Sequence, residues 1–149
     1  MKTLITLVAL LTSTITFAGV DTEVDKNGVI LAGHDAVAYF TEKAAVEGYA
    51  GISAVHNGAI YHFSSNENRD TFKANPEKYA PQYGGFCAYG AALGKKFDID
   101  GKAFEVLDGK LYVNKNLNVY ETWAEDKAEN VTEADKKWPN IENIAADKL

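Results

Sequence analysis

One cysteine and three histidines, Cys87, His34, His56 and His62, are the side chains here best suited to a soft or borderline metal ion. Four such ligands would complete a tetrahedral site, so their relative placement decides whether they can act together. His56 and His62 flank Asn57-Gly58 in ISAVHNGAIYHF, a two-residue turn signal between β-prone runs. Such a turn sets the register: His56 opposite Ala59, Val55 opposite Ile60, Ala54 opposite Tyr61, Ser53 opposite His62. Alternation then places His56 on the face of Ala54 and Tyr61, and His62 on the face of Val55 and Ile60. These two imidazoles point to opposite sides and should not share one ion. His34, in the loop-like Gly-His-Asp of GHDAVAYFTE, is the first choice as a nitrogen partner for Cys87.

Cys87 lies in YGGFCAYG and has three possible roles. As a metal ligand, a thiolate selects Cu(I) and similar soft ions; the only methionine is the initiator, so Cys plus His, with a Tyr or Asp, is what the chain can offer. As a redox group it would become a sulfenic acid or mixed disulfide. Gly84-Gly85 permit a tight turn, and CAYGAALG is suited to a helical turn whose backbone N–H groups aim at the sulfur. Lys95 and Lys96 lie near in sequence. With no resolving cysteine, turnover would need an external thiol. As a packing residue, Cys87 would be a small hydrophobe among Tyr83, Phe86 and Tyr89. Other chemistries lack support: there is no phosphate-binding glycine loop and no His-Glu-x-x-His. FDIDGK lacks the spacing of a calcium loop and reads as a turn. A Cys87–His34–Asp35 triad is disfavoured because adjacent residues orient one another poorly.

The elements that must position these residues follow from turn and cap chemistry. GHDAVAYFTE predicts a short helix with Asp35 near its start and Val37, Tyr39 and Phe40 as apolar contacts. SSNENRDTFKANPEKY predicts a helix capped by Ser64 or Ser65, with Phe72 facing the sheet and Pro76 restarting a turn that carries Tyr79 inward. AFEVLDGKLYVN is a second hairpin about Asp108-Gly109, pairing Val106 with Leu111 and Phe104 with Val113 on one apolar face. Glu105, Lys110 and Tyr112 lie on the other. From about residue 116 to 137 two helices are predicted, the first through Leu117, Tyr120 and Trp123, the second opening at a Thr132-x-x-Asp135 capping box and stopped by Pro139.

The chain opens with Lys2, an apolar run from Leu4 to Leu11 and Thr16-Phe17-Ala18, the pattern of a secretory signal peptide cleaved after Ala18. The run is too short to span a bilayer. Residues 19–149 then form a single soluble domain, periplasmic or secreted, with no membrane span. The 21 acidic against 15 basic residues make an anionic surface that disfavours nucleic acid and anionic lipid. A single cysteine excludes an internal disulfide, so packing must hold the domain; seven Phe, eight Tyr and two Trp supply the material.

The stretch YHFSSNENRDTFKANPEKYAPQYGG resembles the YHS domain, named for residues that here are Tyr61, His62 and Ser64 or Ser65. Phe72 to Tyr79 matches its F-x-x-x-P-x-K-Y phrase. With GHDAVAYF upstream and YGGFCAYG downstream, the chain is similar to exported single-domain YHS (seleno)proteins. The resemblance implies a small α+β fold: a YHS-like hairpin and helix, a second hairpin, and C-terminal helices over the sheet. It also implies a non-enzymatic binding domain for copper, as Cu(I), or another soft metal, because related modules accompany copper transporters and mercury or silver resistance proteins. A metal-transport protein is the implied partner. His62, as a signature residue, becomes the second choice after His34 beside Cys87. Relatives carry thiols within Asp-Pro-Val-Cys and just after the Tyr-x-Phe strand. Here those places read Asp35-Ala36-Val37-Ala38 and Phe63-Ser64, and both thiols are absent. The word "seleno" implies chalcogen chemistry at Cys87 instead.

Overall fold

The computed structural model describes residues 21–149. The signal-peptide expectation falls on residues 1–18, outside that range. The architecture is α+β: two antiparallel hairpins with helices packed between and over them. Strands β1 (Tyr49–His56) and β2 (Ala59–Phe63) form the first hairpin, in the register expected from the turn. Asn57 and Gly58 both take positive φ, as a two-residue hairpin turn requires. A register irregularity between Tyr49 and Ser53, not foreseen from the sequence, bends the outer end of β1. Strands β3 (Asp100–Leu107) and β4 (Lys110–Asn114) form the second hairpin, pairing Val106 with Leu111 and Phe104 with Val113.

The helices are α1 (Ala38–Thr41), α2 (Asn66–Ala74), α3 (Pro76–Tyr79), α4 (Ala88–Ala92), α5 (Leu117–Glu125) and α6 (Lys127–Ile141). Ser65 caps α2 by accepting from Asn68 N, and Pro76 opens α3. Both outcomes follow the sequence, and Phe72 and Tyr79 are buried as expected.

The C-terminal region differs from expectation. The second helix begins at Lys127, five residues before Thr132, because Asp126 ends α5 and caps α6 by accepting from Glu129 N. Thr132 is interior and bonds the carbonyl of Ala128 instead of capping. Asn130, also interior, donates to Trp123 O. Pro139 lies inside α6 and does not stop it; Glu142 N still reaches Trp138 O at 2.8 Å. One missing N–H within the last turn costs less there than in mid-helix, since few bonds remain to be broken.

The second hairpin divides two cores. Leu111 and Val113 face a cluster that includes Ile30, Tyr39, Tyr61, Phe63 and Phe72. Tyr112, on the opposite face, joins Trp123, Tyr83, Ala88, Ala91 and Ala134 from the helices behind. Period-two alternation thus serves two apolar layers.

Candidate functional site

Two polar clusters interrupt this apolar interior. The first is built on Asp35, which is fully buried just before α1. Its Oδ1 accepts from Val37 N (2.9 Å) and Ala38 N (3.2 Å). Its Oδ2 accepts from Ser64 N (2.8 Å), Ser64 Oγ (2.7 Å) and Asn68 Nδ2 (2.8 Å). Five donors satisfy one buried carboxylate, as a buried charge requires. Ala38 and Ser64 are the two positions where the resembling modules carry thiols. Here they converge on a closed hydrogen-bond network containing no sulfur and no imidazole.

The second cluster surrounds Cys87, which has no exposed surface. Cys87 is the N-cap of the short helix α4, and its Sγ accepts from Gly90 N at 3.4 Å. Its own N–H donates to the carbonyl of Phe97 (3.1 Å), so the coil after α4 runs directly across it. Asn114, the last residue of β4, places Oδ1 3.5 Å from Sγ, where the thiol S–H donates to it, and 3.1 Å from Tyr89 N. Burial pushes the thiol above its ordinary value. The backbone N–H groups of Gly90, Lys115 and Tyr89, and the Lys115 charge, oppose that rise without reversing it. Hydrogen-bonding groups therefore line the sulfur, although solvent does not reach it.

The residues expected to support Cys87 are placed elsewhere. His34 is buried against Gly101, where a Cβ would collide with the imidazole. Its Nδ1 lies 3.0 Å from Leu31 O; a carbonyl only accepts, so Nδ1 carries the proton. His62 is half-buried beside Gly33 and Gly48. On the opposite face of the hairpin, as the register requires, the His56 ring lies against Tyr61 and Phe72. His56 Nε2 is 2.9 Å from Glu77 Oε1, an ion-pair distance without hydrogen-bond alignment. Neither His34 nor His62 is among the groups hydrogen-bonded to the sulfur. Among the described residues, no three or more His, Cys, Asp or Glu side chains are grouped to hold an ion. The surroundings of Cys87 do not fit a soft metal: backbone N–H groups have no lone pair to offer, and the amide oxygen of Asn114 is a hard donor.

Lys95 and Lys96 also turn away. Lys96 Nζ bonds Asp21 Oδ2 (3.2 Å) and the carbonyls of Glu142 and Ile144, while Lys95 reaches the carbonyl of Leu149. Lys115 is the cation whose charge acts on the sulfur. It and Asn114 are the functional residues that sequence reasoning missed. They lie 27 and 28 positions from Cys87, and the only available signal was the end of a hairpin strand carrying a polar residue.

Compared with known families, residues 37–83 match the model described as YHS domain. No curated protein and no solved structure matches the chain. The matched segment holds His62, Ser64 and Asn68 but ends short of Cys87 and Asn114, and begins after His34 and Asp35.

Proposed function

On the premise that this chain is a YHS-domain protein, we propose that it is an exported thiol-redox protein whose working group is Cys87. The observation that carries the reading is the polar lining of a fully buried sulfur: the N–H groups of Gly90, Tyr89 and Lys115 act on it as donors, and the Asn114 amide oxygen accepts from its S–H. A cysteine kept only as a small hydrophobe needs no such donors, whereas an anionic or oxygenated sulfur is stabilised by them. Access requires a local opening. The coil from Lys95 to Ile99, whose Phe97 is partly exposed while its carbonyl holds Cys87 N–H, is the natural place for it. The exported-type start expected from the sequence supports the reading, because an oxidising compartment offers both oxidants and external thiols.

The test is a thiol count on the reduced mature protein before and after mild oxidation. Loss of the native thiol, restored by dithiothreitol, is expected. A thiol that stays reduced until the chain is unfolded would overturn the reading in favour of packing.

Soft-metal handling is a second reading, supported by the metal associations of the YHS family rather than by the surroundings of Cys87. Titration with Cu(I) under native mass spectrometry, alongside Cys87→Ala, separates the two. A bound ion lost in the variant would favour it, with His34 and His62 then tested as additional donors. Unchanged stoichiometry would remove Cys87 as a ligand.

A further inference from the structure

Asn114 carries a feature that the thiol state leaves unexplained. The residue is fully buried, its Oδ1 is used twice, by Tyr89 N and by the Cys87 thiol, and its Nδ2 has no partner among the described residues. A buried amide donor left idle carries its desolvation cost uncompensated, so native structures contain few of them. Turning the amide over does not help. It would set an NH2 group against the N–H of Tyr89, two donors facing each other. The carboxamide is thus held with its oxygen on the thiol and its donor unpaired, making no hydrogen bond to the reduced sulfur.

We propose that Asn114 is the positioning residue for an oxidised form of Cys87: its idle Nδ2 donates to the oxygen that a small hydroperoxide leaves on the sulfur. The proposal rests on the redox reading above and adds to it the class of reactant and the residue that holds the product. In the step, the sulfur attacks one peroxide oxygen as the O–O bond breaks. An S–O bond forms, and the thiol proton leaves in the water produced: R–SH + HOOH gives R–SOH + H2O. The sulfur is oxidised and the peroxide reduced. A thiol is a weak acceptor, but the new oxygen is a strong one, so only the oxidised state satisfies Nδ2. Complete coverage of the sulfur favours a reactant of a few atoms. Because Cys87 is the only cysteine, the sulfenic acid cannot close an internal disulfide. An external thiol removes it: R–SOH + R′–SH gives R–S–S–R′ + H2O, and a second R′–SH returns R–SH with R′–S–S–R′.

The experiment uses the mature chain with hydrogen peroxide as the probe. Intact mass should show one added oxygen at Cys87, trapped by a sulfenic-acid reagent, and the Asn114 side-chain NH2 resonances should shift and gain exchange protection on oxidation. In Asn114→Asp, which keeps the shape and removes the donor, the sulfenic acid should be shorter-lived by about tenfold, the worth of one hydrogen bond. A wild-type chain that gains oxygen while the Asn114 resonances stay unchanged overturns the role of Asn114 and leaves the redox reading standing, even should the variant fail to fold. Equal lifetimes in a folded variant do the same. A wild-type chain that gains no oxygen overturns both.

Discussion

At the scale of single residues, Asp35 and Cys87 show two solutions to a buried polar group. The Asp35 carboxylate is saturated by five donors drawn from α1, the end of β2 and α2, so it acts as a tie between elements. Ser64→Ala removes the 2.7 Å hydroxyl contact and should cost about 1.5–3 kcal/mol, the range for a hydrogen bond to a charged group. Chemical denaturation with an unchanged m-value would check it; a loss below about 0.5 kcal/mol would show that the hydroxyl is dispensable. The Cys87 cluster is less complete. An acceptor is shared, a donor is spare, and the thiol lies in an environment that penalises its charged form. Saturation suits a structural tie; spare capacity suits a group that changes state.

At the scale of elements, the β3–β4 hairpin borders both cores and positions the Cys87 cluster. One face completes the core shared with the β1–β2 hairpin, and the other seats Tyr112 against Trp123 of α5, with ring centroids 5.5 Å apart. Its end delivers Asn114 to Cys87 through the pairing of Asp100 with Asn114. Behind it, α5 and α6 are joined at Asp126, which terminates one helix and caps the next. Asp126→Ala should therefore destabilise the protein by about 0.5–2 kcal/mol. Asp126→Asn or Asp126→Ser should recover most of that, read as the thermal midpoint. Equal midpoints for Ala, Asn and Ser would show that the turn geometry, not the side-chain oxygen, joins the two helices.

At the scale of the whole molecule, the two ends of the described chain are fastened together. Asp21 N bonds Glu142 O, and the Lys96 ammonium, over the Phe86 and Trp138 rings, ties Asp21 to the carbonyls of Glu142 and Ile144. In this fastened segment Glu23 has its carboxyl raised to about 7, first by burial and then by Asp98 and Asp25. A carboxyl whose folded value lies above its unfolded one holds its proton longer in the native state. Stability from that proton is complete below about pH 4.5 and is lost as pH rises through about 7. Glu23→Gln should flatten this slope and leave the variant more stable than wild type at pH 8. The expected gain is about 1–2 kcal/mol once solvent screening of a half-buried group is allowed for. Parallel stability curves for the two proteins between pH 5 and 8 would refute the effect.

Hairpin registers, the Ser65 cap, the Pro76 restart and the inward Phe72 and Tyr79 were legible in the residues. Each depends on interactions within a few positions of the chain, where turn and cap chemistry leaves few alternatives. The start of α6 was misplaced because Asp126 and Thr132 offer equivalent local caps, and only packing of Ala134 and Trp123 into one core selects between them. Cys87 was visible as a reactive type; its neighbours were not. Asn114 and Lys115 reach it from the end of β4 and His34 is not among its partners, because contact between distant segments is chosen by how the two hairpins share their cores. The sequence by itself determined which groups could do chemistry, and the tertiary packing decided which of them meet.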